Sequence, residues 1–222
     1  MPQPSPSLTT RRLEALSDGV IAIAATLLVL QFGRVDLRHS EDLLDAIRDL
    51  WPSYAAYIVS FTVIGLIWVA HHAMFERIST VDRPLLFFNL ALLLGVAFIP
   101  WPTSVLADFI RDNNFNASVA TALYSLTMTL IGLVFVGMWA QLLRHPEHTI
   151  GPLTPVQLRR SLRLASVSPI VYGATIGLAF LSPYLCVAVY VLLALYFARG
   201  PAARGLLTAD ENTTDSDDTV EG

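Results

Sequence analysis

The chain has 222 residues, of which 54% are hydrophobic and only 14% charged, with a formal net charge of −4. A water-soluble domain of this size needs more charge to cover its surface, and here the charges gather in short connectors and in the last dozen residues. That layout excludes a soluble globular domain and marks a polytopic, all-α membrane protein. All 14 basic residues are arginine, a compositional bias without chemical meaning of its own. The single cysteine, Cys186, lies in an apolar run, so neither an internal disulfide nor a paired-cysteine metal site is available.

The opening segment, residues 1–10 (MPQPSPSLTT), is rich in Pro and Ser, lacks a basic n-region and reads as disordered rather than as a removable signal. Crossing the hydrocarbon takes about 20 apolar helical residues. Six segments qualify within a transmembrane domain of residues 11–200: 14–32, 52–72, 85–106, 117–143, 162–181 and the shorter 183–198. Only Ser182 and Pro183 separate the last two, which predicts a tight helical hairpin. Between spans 1 and 2, Leu43, Leu44, Ile47 and Leu50 recur at helical spacing and predict a short interfacial helix. The tail, residues 201–222, is acidic, lacks aromatic residues and reads as disordered.

Arginine placement sets the orientation. With the N-terminus inside, ten arginines fall on the inner side and four on the outer, which places both termini in the cytoplasm. Asp18 then enters span 1 near the inner leaflet. Span 2 ends at the same depth with WVAHHAMF, carrying Trp68, His71 and His72, and span 3 brings Asn89 about one turn in. Polar groups in lipid face a bundle interior and pair with one another. Asp18 is expected to pair across helices with the Trp68 N–H, a histidine or Asn89. The arrangement reads as an interhelical latch, or alternatively as a proton relay or metal site. His71 and His72, adjacent in sequence, point different ways around a helix, and no further acid completes a ligand set, so no metal is assigned.

Further along span 1, Ile23, Leu27 and Leu30 form one narrow stripe at i, i+4 and i+7, about 140° from Asp18. Gly19, Ala22 and Thr26 flank it and permit close helix approach. Periodicity alone does not say whether such a stripe meets lipid, core or something else. The enzyme signatures His-Glu-x-x-His and Gly-x-Ser-x-Gly are missing, as is a pair of membrane aspartates, so no catalytic residue is expected. His145 and His148 in RHPEHTIGP read as titrating loop histidines.

RLEALSD (Arg12–Asp18) resembles the Arg-x-x-x-Phe-Ser-Asp signature that opens helix 1 in the transmembrane protein 175 potassium channel family. GVIAIAATLLVL continues the likeness, as do WVAHHAMF, Asn89 and FIPWPTSVL. The resemblance is densest over residues 11–106, and Leu16 stands where the family has Phe. It implies a bacterial inner-membrane homotetramer of six-helix subunits, whose first helices line a central pore passing potassium and other monovalent cations. Ile23, Leu27 and Leu30 become the pore constriction, flanked by Thr26. Arg12, Ser17, Asp18, Trp68, His71, His72 and Asn89 become the structural latch at the cytoplasmic end. No TVGYG filter occurs, so the neck would gate by dewetting. No cofactor beyond the permeant ion and no nucleic acid is implied; the partners are membrane lipid and three further copies. The competing class is a proton-coupled secondary transporter using Asp18 and the span 2 histidines.

Overall fold

The computed structural model describes residues 10–31, 43–112, 114–150 and 155–199. The expectations for the first nine residues and the acidic tail lie outside them. Helices account for nearly all of the described chain, and its one β-type pairing there is an isolated bridge between Ile78 and Thr149. In chain order the helices are α1 (Thr10–Leu27), α2 (Leu43–Asp49), α3 (Trp51–Phe75), α4 (Arg83–Phe98), α5 (Pro100–Phe109), α6 (Phe115–Arg144), α7 (Pro155–Leu178) and α8 (Pro183–Ala198).

Among the described residues, four stretches are long and apolar enough to cross a membrane: Thr10–Leu30, Trp51–Phe75, Arg83–Asp112 and Phe115–Arg144. The expected fifth and sixth spans exist as helices, but differently. Helix α7 is 24 residues long with Arg159, Arg160 and Arg163 in its first turns, and α8 is apolar but only 16 residues long. The predicted short helix between spans 1 and 2 is α2, with Leu43, Leu44 and Ile47 exposed along it.

Local chemistry explains the boundaries. Helix α1 tightens into a 3₁₀ turn over Leu28–Gln31, and Thr26 Oγ1 bonds back to the Ile23 carbonyl at 2.8 Å just before it. Asp82 caps α4, its Oδ1 accepting from the Leu85 N–H at 2.9 Å and its Oδ2 from the Gln141 amide at 2.7 Å. The break between α4 and α5 falls at Ile99, where Pro100 and Pro102 remove two backbone donors. The chain nonetheless continues helically to Asp112, past the expected end at residue 106. Asn114 caps α6 and Ser182 caps α8 through side-chain oxygens.

Helix α6 is the axle of the bundle and packs on α4, α5, α7 and α8, while α1 leans on α3 and α4. Buried hydroxyls link the helices where lipid offers no water. Ser60 of α3 bonds to Thr103 of α5 (2.9 Å) and to the Tyr124 hydroxyl of α6 (3.2 Å). Ser125 of α6 meets the Tyr190 hydroxyl of α8 at 2.6 Å and Thr175 of α7 at 2.9 Å. The contact of α6 with α7 is close because Gly132 lies against the ring of Pro169. A Cβ there would fall 2.7 Å from Pro169 Cδ and 3.0 Å from its backbone nitrogen.

This packing makes a signed prediction for Gly132→Ala. Alanine gains about 1 kcal/mol of helix propensity, but the overlap with backbone-anchored Pro169 costs about 1–3 kcal/mol. The thermal midpoint in detergent is expected to fall for Gly132→Ala. It is not expected to fall for Gly177→Ala, where nothing lies within 4 Å. A Gly132→Ala protein melting above wild type would contradict the close contact.

Candidate functional site

The buried line of α1 runs through Leu13, Ser17, Ile21, Ala24 and then Leu28, a helical repeat of four, four, three and four. Ser17 is its one polar member and is fully buried. Its hydroxyl donates to the Leu13 carbonyl at 2.9 Å and accepts from the Asn89 amide at 3.0 Å. The other end of that carboxamide meets α3: His71 Nε2 lies 2.9 Å from Asn89 Oδ1. Because a carboxamide oxygen only accepts, Nε2 carries the proton. His71 Nδ1 is buried and has no hydrogen-bond partner among the described residues, on a ring stacked 4.1 Å from Phe75. Serine, asparagine and histidine from α1, α4 and α3 thus form one buried chain.

A second, more open set lies beside it. The Trp68 indole N–H donates to Asp18 Oδ1 at 2.9 Å, the first of the pairings open to Asp18 in the sequence. His72 stacks on Trp68 with ring centroids 5.6 Å apart, and its Nδ1 lies 3.2 Å from Glu14 Oε1 and its Nε2 3.5 Å from Glu76. A cleft of about 210 Å³ opens between α1 and α3, bounded by Asp18, Ala22, Ala25, Phe61, Gly65 and Trp68.

Of the seven residues assigned to the latch, six come together: Ser17, Asp18, Trp68, His71, His72 and Asn89. Arg12 does not join them; it is exposed, with no side-chain partner among the described residues. His71 faces the core and His72 the surface carboxylates, so the two rings serve different partners. Sequence reading missed Glu14 and Glu76. Glu14 precedes Asp18 by four residues, one turn on the same side of α1, and that spacing was the signal available for it. Leu16 is 49% exposed and fills no pocket in its own subunit.

The aliphatic stripe is on the outside. Ile23, Leu27 and Leu30 are 60%, 40% and 70% exposed on the subunit, and Thr26 is exposed beside them. The core reading of the stripe is therefore excluded. Asp18 is tied sideways to Trp68, and a bare hydrocarbon ridge points away from the chain's own helices.

Known proteins resemble this arrangement. The family described as the endosomal/lysosomal potassium channel TMEM175 matches residues 12–100, which carry α1, α3 and α4. A potassium channel of Streptomyces collinus is 43% identical over 187 residues, covering 84% of this chain and 90% of its own length. One from Chamaesiphon minutus is 33% identical over 85% of this chain and 93% of its own. The human endosomal/lysosomal proton channel TMEM175 is 33% identical over 65% of this chain, which spans only 30% of that protein. The crystal structure of a lysosomal potassium-selective channel TMEM175 homolog from Chamaesiphon minutus superposes with a TM-score of 0.76 at 34% identity, over 85% of this chain and 96% of that one.

The geometry ranks two substitutions. Asn89→Leu strands buried donors and acceptors on two neighbouring helices and is expected to cost about 1–3 kcal/mol. Trp68→Phe removes one hydrogen bond to an exposed carboxylate and should cost under about 1 kcal/mol. Thermal unfolding of the purified variants checks the order, and a reversed order would contradict the buried chain as the stronger tie.

On the near full-length agreement with bacterial potassium channels, the chain is a multi-pass membrane protein that belongs to the TMEM175 family of ion channels.

Proposed function

We propose that the chain is one subunit of a homotetrameric, potassium-permeable cation channel whose pore is lined by α1. The observation that carries this reading is the outward ridge of Ile23, Leu27 and Leu30, about 140° around the helix from Asp18. Four such ridges around one axis make a narrow aliphatic neck. A neck of that kind excludes water and ions when tight and fills on slight widening. Potassium, the more weakly hydrated ion, loses its shell there more cheaply than sodium. Thr26, bonded to the Ile23 carbonyl, stiffens the backbone beside the constriction. No TVGYG segment is present in the sequence, so a carbonyl cage plays no part. The names of the bacterial relatives support potassium as the permeant ion.

In this reading Ser17, Asp18, Trp68, His71, His72 and Asn89 hold the pore helix in its rotation. All six spans cross a bacterial inner membrane with both termini inside. Arg159, Arg160 and Arg163 mark the inner end of α7, and α8 crosses at reduced length. Arg12 lies at the inner mouth, outside the latch.

A second reading has one observation in its favour. The buried, unpartnered Nδ1 of His71 is a place for a proton, and animal relatives are named proton channels. Proton-gradient-dependent, saturable uptake would favour a proton-coupled carrier working through His71 and Asp18, whereas ohmic currents exclude it.

Potassium and sodium flux into liposomes tests the pore assignment. Ile23→Asn is expected to change conductance or ion preference while the assembly keeps its mass in detergent. Flux identical to wild type in both ions would remove α1 from the pore.

A further inference from the structure

At the end of the bundle that holds the polar cluster, α6 stops at Arg144 and the chain enters a 3₁₀ turn over Pro146–His148. Three residues per turn bring His145 and His148 to the same side, with Glu147 between them. His145 Nδ1 lies 3.0 Å from Glu147 Oε1, and the two imidazole rings are 5.8 Å apart. One donor atom from each of His145, Glu147 and His148 lies within 4.8 Å of the other two.

The turn is held from behind. His148 Nδ1 is 2.7 Å from the Thr80 hydroxyl, and its Nε2 is 3.6 Å from Asp82 Oδ2. The Ser79 N–H donates to the His148 carbonyl and the Ile150 N–H to the Arg77 carbonyl, both at 2.8 Å. A histidine whose second ring nitrogen is fixed by a neighbouring hydroxyl is oriented in the way metal-ligating histidines are.

We infer that His145, Glu147 and His148 form a binding site for a divalent ion of the zinc class on the α6–α7 connection. Two imidazoles and a carboxylate suit zinc and its neighbours rather than magnesium or calcium, which prefer all-oxygen shells. Zinc–nitrogen bonds of about 2.0–2.1 Å imply donors roughly 3.3 Å apart; His145 Nδ1 and Glu147 Oε1 are 3.0 Å apart, and the whole set spans up to 4.8 Å. His145 and Glu147 are exposed and free to close that gap by side-chain rotation, leaving a fourth position for water. Where the sequence suggested only titrating histidines, the fold adds the carboxylate and the second-layer hydroxyl.

Equilibrium dialysis of the tag-free full-length protein against zinc chloride at neutral pH tests the site without reference to conduction. One zinc per chain is expected, unaffected by excess magnesium, with a thermal midpoint that rises with zinc concentration. His145→Ala and Glu147→Gln, which change exposed side chains and leave the Thr80 contact intact, should each weaken binding by about 10–100-fold. Wild type without a zinc site, or either variant binding as wild type does, would overturn the inference.

Discussion

Asn89 sets the rotation of α1. Its carboxamide bonds to Ser17 on one side and His71 on the other, inside a bundle where no water replaces a lost partner. Turning α1 by one residue, about 100°, would carry Ser17 out of reach and leave the amide and the imidazole unpaired. Asp18, on the neighbouring face, would lose the Trp68 indole in the same motion. The rotation that satisfies all these groups also presents Ile23, Leu27 and Leu30 outward. A polar requirement deep in one face of the helix thereby fixes a purely apolar surface on another.

The rest of the subunit acts as a rigid seat. Helix α6 grips α7 through Gly132 and Pro169, and α8 through the Ser125–Tyr190 hydroxyl pair. The Ser60–Thr103–Tyr124 group ties α3 to α5 and α6. Each tie is modest in a membrane, roughly 0.6 kcal/mol on average, but together they leave α3 little freedom to slide against α5 and α6. What the polar cluster positions is therefore positioned against a fixed frame.

Much of this was legible in the residues. Three spans carrying polar side chains at one depth pointed to a cluster because burying them separately is costly, and the Trp68–Asp18 pairing is one of the few partners geometry allowed. The stripe on α1 was visible as a period, yet exposure could not be read from period alone; only the packing of Leu13, Ser17, Ile21 and Ala24 shows which side faces in. Glu14 was hidden because it resembled one more charge in a polar entrance, although it reaches His72 across helices. Arg12 belonged to the quoted signature and still lies outside the cluster, since a motif in sequence does not require its members to touch. The 3₁₀ end of α1 and the continuation of α5 to Asp112 escaped notice because both depend on backbone bonding and not on side-chain pattern. The His145–Glu147–His148 turn has a local carboxylate contact but owes its hydroxyl support from Thr80 to folding across 68 residues of chain.

The most direct test is the structure of the assembled protein in a lipid bilayer. The account predicts a fourfold axis on which the Ile23 side chains of four copies converge, with Leu27 and Leu30 along the same passage and Asp18 turned away toward Trp68. Ile23 packed against acyl chains on the outer surface of the assembly would contradict it.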